Sequence, residues 1–124
     1  ATGCRVMGID LSSGMVEWAQ KRAIRKNLQE RCQFRVADAQ QLPFEDDTFD
    51  TMLCESVTAF VPDKRLALSE YRRVVKPGGY VGLNEGTLIK GIPPQDFMEF
   101  IQRTMGNVEF LQPDEWRLLL EGAG

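Results

Sequence analysis

The sequence predicts an α/β domain: a parallel sheet with helices on both faces. Three observations carry this. Short apolar runs alternate with runs of helical period, the order that builds strand–helix–strand crossovers. The first three apolar runs each end at an acid, Asp10, Asp38 and Glu55. The chain has no internal repeat and no low-complexity tract that would suggest another architecture.

The elements follow in order. Residues 5–9 (RVMGI) read as a strand ending at Asp10. Ser12 is an N-cap for a helix in which Met15, Val16, Ala19 and Ala23 recur at helical spacing through about Asn27. Residues 33–37 (QFRVA) form a second strand ending in Asp38. Leu42-Pro43-Phe44 breaks any helix begun after it, and Glu45-Asp46-Asp47 is an exposed acidic turn. Residues 49–54 (FDTMLC) are a third strand. Pro62 stops the chain, and Asp63 caps a helix with Ala67, Tyr71 and Val74 on one face and Leu68 and Val75 beside them. Lys76-Pro77-Gly78-Gly79 is expected to end that helix, because proline removes a donor and glycine frees the backbone. Residues 80–83 are a fourth strand. After Asn84 the rhythm changes to a loop at 86–94 and an amphipathic helix from 95 to about 105, whose Phe97, Phe100 and Ile101 line an apolar pocket or, the favoured reading, seal the core. Pro113-Asp114 opens a last helix bearing Trp116, Leu119 and Leu120.

Bulk properties narrow the function. The length of 124 residues fits one domain. Opening at Ala1-Thr2-Gly3 and stopping at Gly122-Ala123-Gly124, it reads as a domain cut at both ends. Net charge is −3 with acids and bases interspersed, which disfavours a duplex-binding surface. No apolar run approaches the ~20 residues of a membrane helix. Cys4, Cys32 and Cys54 are odd in number and widely spaced, as expected of thiols in a reducing cytoplasm rather than of a disulfide framework or zinc site. The chain has no histidine, which removes a histidine base and every histidine-ligated metal from this segment.

Parallel α/β sheets bind ligands at the carboxyl ends of their strands, so the strand-end acids are the candidate site. Asp10 can accept from both hydroxyls of a ribose, or can cap the next helix. Asp38, with Ala39, can accept from an exocyclic amino group while a neighbouring N–H donates to a ring nitrogen, or can serve as an N-cap. Glu55-Ser56 lies near the reacting end of a ligand, or caps the following turn. Glu85 reads as a solvated acid at a strand end. Cys54, inside an apolar strand, reads as a buried and inert thiol. Trp18 and Trp116 read as core or groove packing, and Arg72-Arg73 as the wet side of their helix.

Three stretches taken together are more specific than any one acid. VMGIDLSSGMVEWAQKRA, VADAQQLPFEDDTFDTMLCESV and ALSEYRRVVKPGGYVGLNE resemble the class I S-adenosylmethionine-dependent methyltransferases of the small-molecule type, over roughly residues 1–85. The resemblance implies a Rossmann-like sheet, incomplete here because the family's first strand and last strands lie outside the chain. It implies a cofactor-binding core at 1–85 and acceptor-side or lid helices at 86–124, within one partial methyltransferase domain spanning 1–124. It implies S-adenosylmethionine as cofactor and S-adenosylhomocysteine as product. Thr2 and Gly3 would end the glycine-rich loop that holds the methionine part. Asp10 would bind the ribose hydroxyls, with Leu11 and Met15 near the adenosine. Asp38 would bind the adenine amino group, with Ala39 and Gln40 beside the ring. Glu55, mainly through its backbone, would lie by the methionine moiety and the methyl group. Glu55 is also the candidate catalytic base, with Glu85 a weaker one that reads first as a solvated acid.

The chain departs from the family pattern in two places. The family's opening strand lies between the strands ending at Asp10 and Cys54, so its absence leaves open edges, which invite self-association. Many relatives carry histidines soon after the third strand, where this chain has Thr58-Ala59-Phe60. Methyl transfer from a sulfonium needs alignment more than acid–base help, which suits a site without histidine. The expected activity is transfer to a small-molecule acceptor in the cytoplasm, with no metal, no membrane and no nucleic acid. Two other readings stand beside it. A nicotinamide-dependent oxidoreductase also places an acid after its second strand, although Asp38-Ala39 and the L-P-F run argue against it. The third is a non-catalytic cofactor-binding or interaction module.

Overall fold

A computed structural model describes residues 3–89, 91 and 93–123. The chain divides into two compact units, residues 1–43 and 44–124. Each contains one parallel strand pair joined through a helix.

In the first unit, β1 (Val6–Asp10) pairs in parallel with β2 (Cys32–Val36), in a register running from Val6 opposite Cys32 to Asp10 opposite Val36. The helix between them, α1 (Ser13–Arg25), starts as expected: the Ser12 hydroxyl accepts the Met15 N–H at 3.4 Å. Val16 and Ala23, seven residues apart, are its buried face. Arg31 fastens the start of the unit, its guanidinium donating to the Cys4 carbonyl at 2.9 and 3.2 Å. Gly8 faces Phe34 across the ladder, and the ring lies over it so closely that a Cβ would meet ring carbons at 2.6 Å. Past β2 the chain is non-helical, and Leu42 is buried.

In the second unit, β3 (Phe49–Glu55) pairs in parallel with β4 (Val75–Asn84). Between them lie a single 3-10 turn (Thr58–Phe60) and α2 (Lys64–Arg73). Asp63 caps α2, accepting the Leu66 N–H at 2.9 Å. Ala67, Leu68, Tyr71, Val74 and Val75 are almost wholly buried, as their spacing predicts. α3 (Gln95–Met105) and α4 (Pro113–Gly122) follow. In α4 the Glu115 carboxylate reaches back to the Gln112 N–H at 2.7 Å, proline occupies the first turn, and Trp116 is buried.

Three expectations are corrected here. Lys76-Pro77-Gly78-Gly79 does not end α2, which stops at Arg73; the four residues lie inside β4. Phe49 pairs with Val75 and Thr51 with Tyr80, so they bulge out opposite Asp50 alone. Proline and positive-φ glycine are tolerated there because a bulge takes residues out of the ladder. Arg73 is not on a wet face. It pairs with Glu70 at 2.6 Å and Asp46 at 2.8 Å and donates to the Phe44 carbonyl at 2.8 Å, tying the acidic turn to α2. Of the α3 residues expected to seal the core, Ile101 is buried but Phe97 and Phe100 are about half exposed.

Among the described residues, each strand has one ladder partner and so one free edge. No helix of these residues is long and apolar enough to cross a membrane.

Candidate functional site

The strand-end acids stand at the carboxyl ends of their strands. Asp10 is the last residue of β1. Its Oδ1 accepts the Ser12 N–H at 2.8 Å, a local turn that fixes the carboxylate and leaves Oδ2 with no partner among the described residues. Asp10 therefore precedes the N-cap instead of being it. Beside it Leu11 is 73% exposed and Met15 52% exposed, an apolar surface at the mouth of the strand pair. Asp38 lies two residues past the end of β2, the strand adjacent to β1. Its Oδ1 accepts the Gln40 N–H at 2.8 Å, and the Gln40 side-chain amide sits at 3.4 Å from both carboxylate oxygens. Ala39 and Gln40 are half-buried. The first unit thus brings two carboxylates to the same end of neighbouring strands, each oriented by a backbone donor two residues on. Gly3 is exposed with φ 76°, a left-handed backbone suited to glycine. Thr2 lies outside the described residues.

In the second unit, Glu55 ends β3 and is exposed. Ser56 follows with φ 54°, a left-handed conformation rare for a residue with a Cβ. Its N–H donates to the Asn84 carbonyl at 2.7 Å.

Glu85 corrects the sequence reading most sharply: it is no solvated acid. One carboxylate oxygen accepts the Val57 and Thr58 N–H groups at 3.1 and 2.8 Å, and the other accepts Ala59 N–H at 3.3 Å. The Cys54 thiol donates to the first oxygen at 3.4 Å. Behind it Cys54, Thr58 and Tyr71 form a buried cluster, with the Thr58 and Tyr71 hydroxyls 3.4 Å apart. Burial pushes the Tyr71 hydroxyl well above its usual range, partly opposed by the Thr58 hydrogen bond, so it stays a proton donor. Cys54 is buried, as its strand position predicts. Glu85 was legible only as an acid after an apolar run; its backbone partners lie 26 to 28 residues upstream, and Cys54 lies 31.

A cleft of about 460 Å³ opens beside the same 3-10 turn, walled by Ala59, Phe60, Met98 and Ile101. Lys64, buried, lines it and pairs with Glu109 at 2.9 Å. Trp18, expected to pack, is half exposed instead, with the Arg22 guanidinium 5.4 Å above its ring.

Comparison with known proteins places this geometry. A family model described as a methyltransferase domain matches residues 1–83. The ubiquinone/menaquinone biosynthesis C-methyltransferase UbiE of Rickettsia massiliae is 33% identical, the match covering 93% of this chain and 54% of that protein. The YcgJ protein of Bacillus subtilis superposes with a TM-score of 0.84 at 27% identity, over 96% of this chain and 51% of that one. A phosphoethanolamine N-methyltransferase of Haemonchus contortus, solved with S-adenosyl-L-methionine, has a TM-score of 0.88 over 98% of this chain and 28% of its own; at 24% identity it speaks for the fold alone. The chain thus spans about half the length of the UbiE relative, or less of others. Two-thirds of its residues fall within the family match, and it belongs to the methyltransferase domain family, of the class I S-adenosylmethionine-dependent type.

Proposed function

We propose that the protein transfers a methyl group from S-adenosylmethionine to a small-molecule acceptor. The observation that carries this is the pair of carboxylates, Asp10 and Asp38, oriented at the carboxyl ends of adjacent parallel strands beside exposed Leu11 and Met15. The donor set fits the group: a carboxylate with a free oxygen for a ribose diol, a second for an exocyclic amine, and an apolar surface for the ring. Asp10 takes the ribose hydroxyls, with Leu11 and Met15 against the adenosine. Asp38 takes the adenine amino group, flanked by Ala39 and Gln40. Thr2 and Gly3 are assigned to the methionine part, and so is the Glu55 turn in the second unit.

The cofactor supplies an electrophilic methyl on a sulfonium. Bound there, it would give that methyl in line to the acceptor's lone pair and leave, with the carbon–sulfur electron pair, as the thioether S-adenosylhomocysteine. Orientation of a well-aligned pair supplies ~7–11 kcal/mol of the barrier. An acceptor bearing a proton passes it to a base. With no histidine in the chain, Glu55 is the base assigned here. The cleft walled by Ala59, Phe60, Met98 and Ile101 supports an acceptor side formed by residues 86–124 together with the turn after β3. The family match favours methyl transfer over hydride transfer. The free strand edges are where a copy of the chain would add if the protein self-associates.

Calorimetric titration of S-adenosylmethionine and S-adenosylhomocysteine into the full-length protein tests the reading. Micromolar binding of both supports it. A folded protein that binds neither, or that binds a nicotinamide dinucleotide in their place, overturns it.

A further inference from the structure

We infer that Glu85 is a positioning residue for the cofactor, acting through the turn that follows Glu55; this rests on the assignment of that turn to the methionine end. The turn is not self-supporting. Ser56 has a left-handed backbone at φ 54°, which is strained for a residue with a Cβ and persists only where the surroundings fix it. The next three residues begin a single 3-10 turn of Thr58–Phe60, too short to be stable alone.

The turn has an external anchor at each donor. Ser56 N–H goes to the Asn84 carbonyl, and the N–H groups of Val57, Thr58 and Ala59 all go to the carboxylate of Glu85, the residue next to Asn84. Four successive backbone donors are thus taken by the end of β4. Three charge-assisted bonds to one carboxylate are stronger than neutral ones. Thr58 and Ala59 are buried, so stripping their N–H groups of that acceptor leaves them unsatisfied. The Cys54 thiol donates to the same carboxylate and is itself in contact with the buried Thr58 and Tyr71 hydroxyls, so the carboxylate is also tied to a buried polar cluster. Glu55 itself is exposed, and among the described residues its side chain has no such tether. Its placement, and that of Ala59 and Phe60 on the cleft wall, is inherited from Glu85.

The test uses the full-length protein and two readouts: S-adenosylhomocysteine affinity by calorimetry, and amide hydrogen exchange at residues 57–59. Glu85→Gln keeps the size but turns an amide donor toward donors. It is expected to weaken S-adenosylhomocysteine by roughly tenfold or more and to speed exchange at those amides by a similar factor. Glu85→Asp, which keeps the charge at shorter reach, recovers part of both. Val75→Ala removes buried packing at the far end of the β3–β4 ladder. It is expected to lower the thermal midpoint while leaving affinity within about twofold. The inference is overturned if Glu85→Gln binds as tightly as the wild type. It is equally overturned if Val75→Ala loses as much affinity as Glu85→Gln, since the effect would then be one of stability. A wild type that binds no S-adenosylhomocysteine overturns the cofactor reading and this inference together. A wild type that binds, with an undiminished Glu85→Gln, overturns this inference alone.

Discussion

The two units use one plan, a helix linking two parallel strands, and hold it by different means. In residues 3–43 the contacts that shape the strand ends are local: Asp10 to Ser12 and Asp38 to Gln40, each two residues apart. In residues 44–123 they are long-range: Glu85 to 57–59, and Arg73 to Phe44 and Asp46. The buried cores differ in step. Val16, Ala23 and Leu42 are the apolar residues buried in the first unit, whereas α2 and the start of β4 alone bury five in the second. A loop held by its own sequence can be oriented without a dense core, while a turn held by a distant carboxylate needs one behind it. The two units therefore use their carboxylates differently. Asp10 keeps one oxygen without a partner among the described residues, whereas Glu85 is spent on the backbone of its own unit.

Glycine substitutions break this contrast most sharply. A Cβ at Gly79 would lie 2.6 Å from the Asp50 carbonyl oxygen and 3.0 Å from that of Lys76, backbone atoms of the bulge that cannot rotate away. Gly79→Ala is expected to cost ~2–3 kcal/mol, read as a shifted midpoint in denaturant unfolding. At Gly8 the obstacle is the Phe34 ring, a side chain that can turn. Gly8→Ala is expected to cost about 1 kcal/mol or less. Equal losses at the two positions would mean that the backbone contacts of the bulge yield as readily as the Phe34 ring.

Asp10→Ala probes the outward-facing carboxylate. In the full-length protein it is expected to weaken S-adenosylmethionine at least tenfold, or ~1.4 kcal/mol. It removes one exposed local hydrogen bond, so the unfolding midpoint should barely move. A well-folded variant with normal affinity would sink the ribose assignment.

The same contrast explains what the sequence disclosed. The helix starts at Ser12 and Asp63 were legible because a cap and its partner lie within one turn. The strand-end acids were legible because alternation locates strand ends to within a residue or two. Asp10 and Glu55 proved to be the last residues of their strands. Glu85 was misread because its backbone partners lie 26 to 28 residues away, and no local pattern encodes that register. Arg73 has Glu70 three residues before it, but its ties to Phe44 and Asp46 are 29 and 27 residues away and equally illegible. Lys76-Pro77-Gly78-Gly79 misled for a related reason. Its composition is that of a helix stop, yet Arg73 had already ended the helix and a bulge absorbed the four residues. The half-exposed Phe97 and Phe100 show the limit of periodicity, which assigns a face to α3 but not what covers it.

The bulge carries the smallest expected effect. Lys76 donates to Asp50 at 2.8 Å across it, and the lysine, through this hydrogen bond and its charge, holds the Asp50 carboxyl below its usual 3.8. A carboxyl whose folded value is depressed binds protons less readily in the folded state. Its contribution is therefore complete above the unfolded value and is lost as pH falls through the folded one. Both side chains are exposed, so the pair is screened by salt. Lys76→Gln should flatten the stability–pH curve slightly below pH 4 and leave it unchanged at neutral pH in high salt. A clear loss at neutral pH and high salt would mean that the lysine stem packs the bulge, making the second unit's rigidity depend on side-chain cover as well as on the backbone contacts at Gly79.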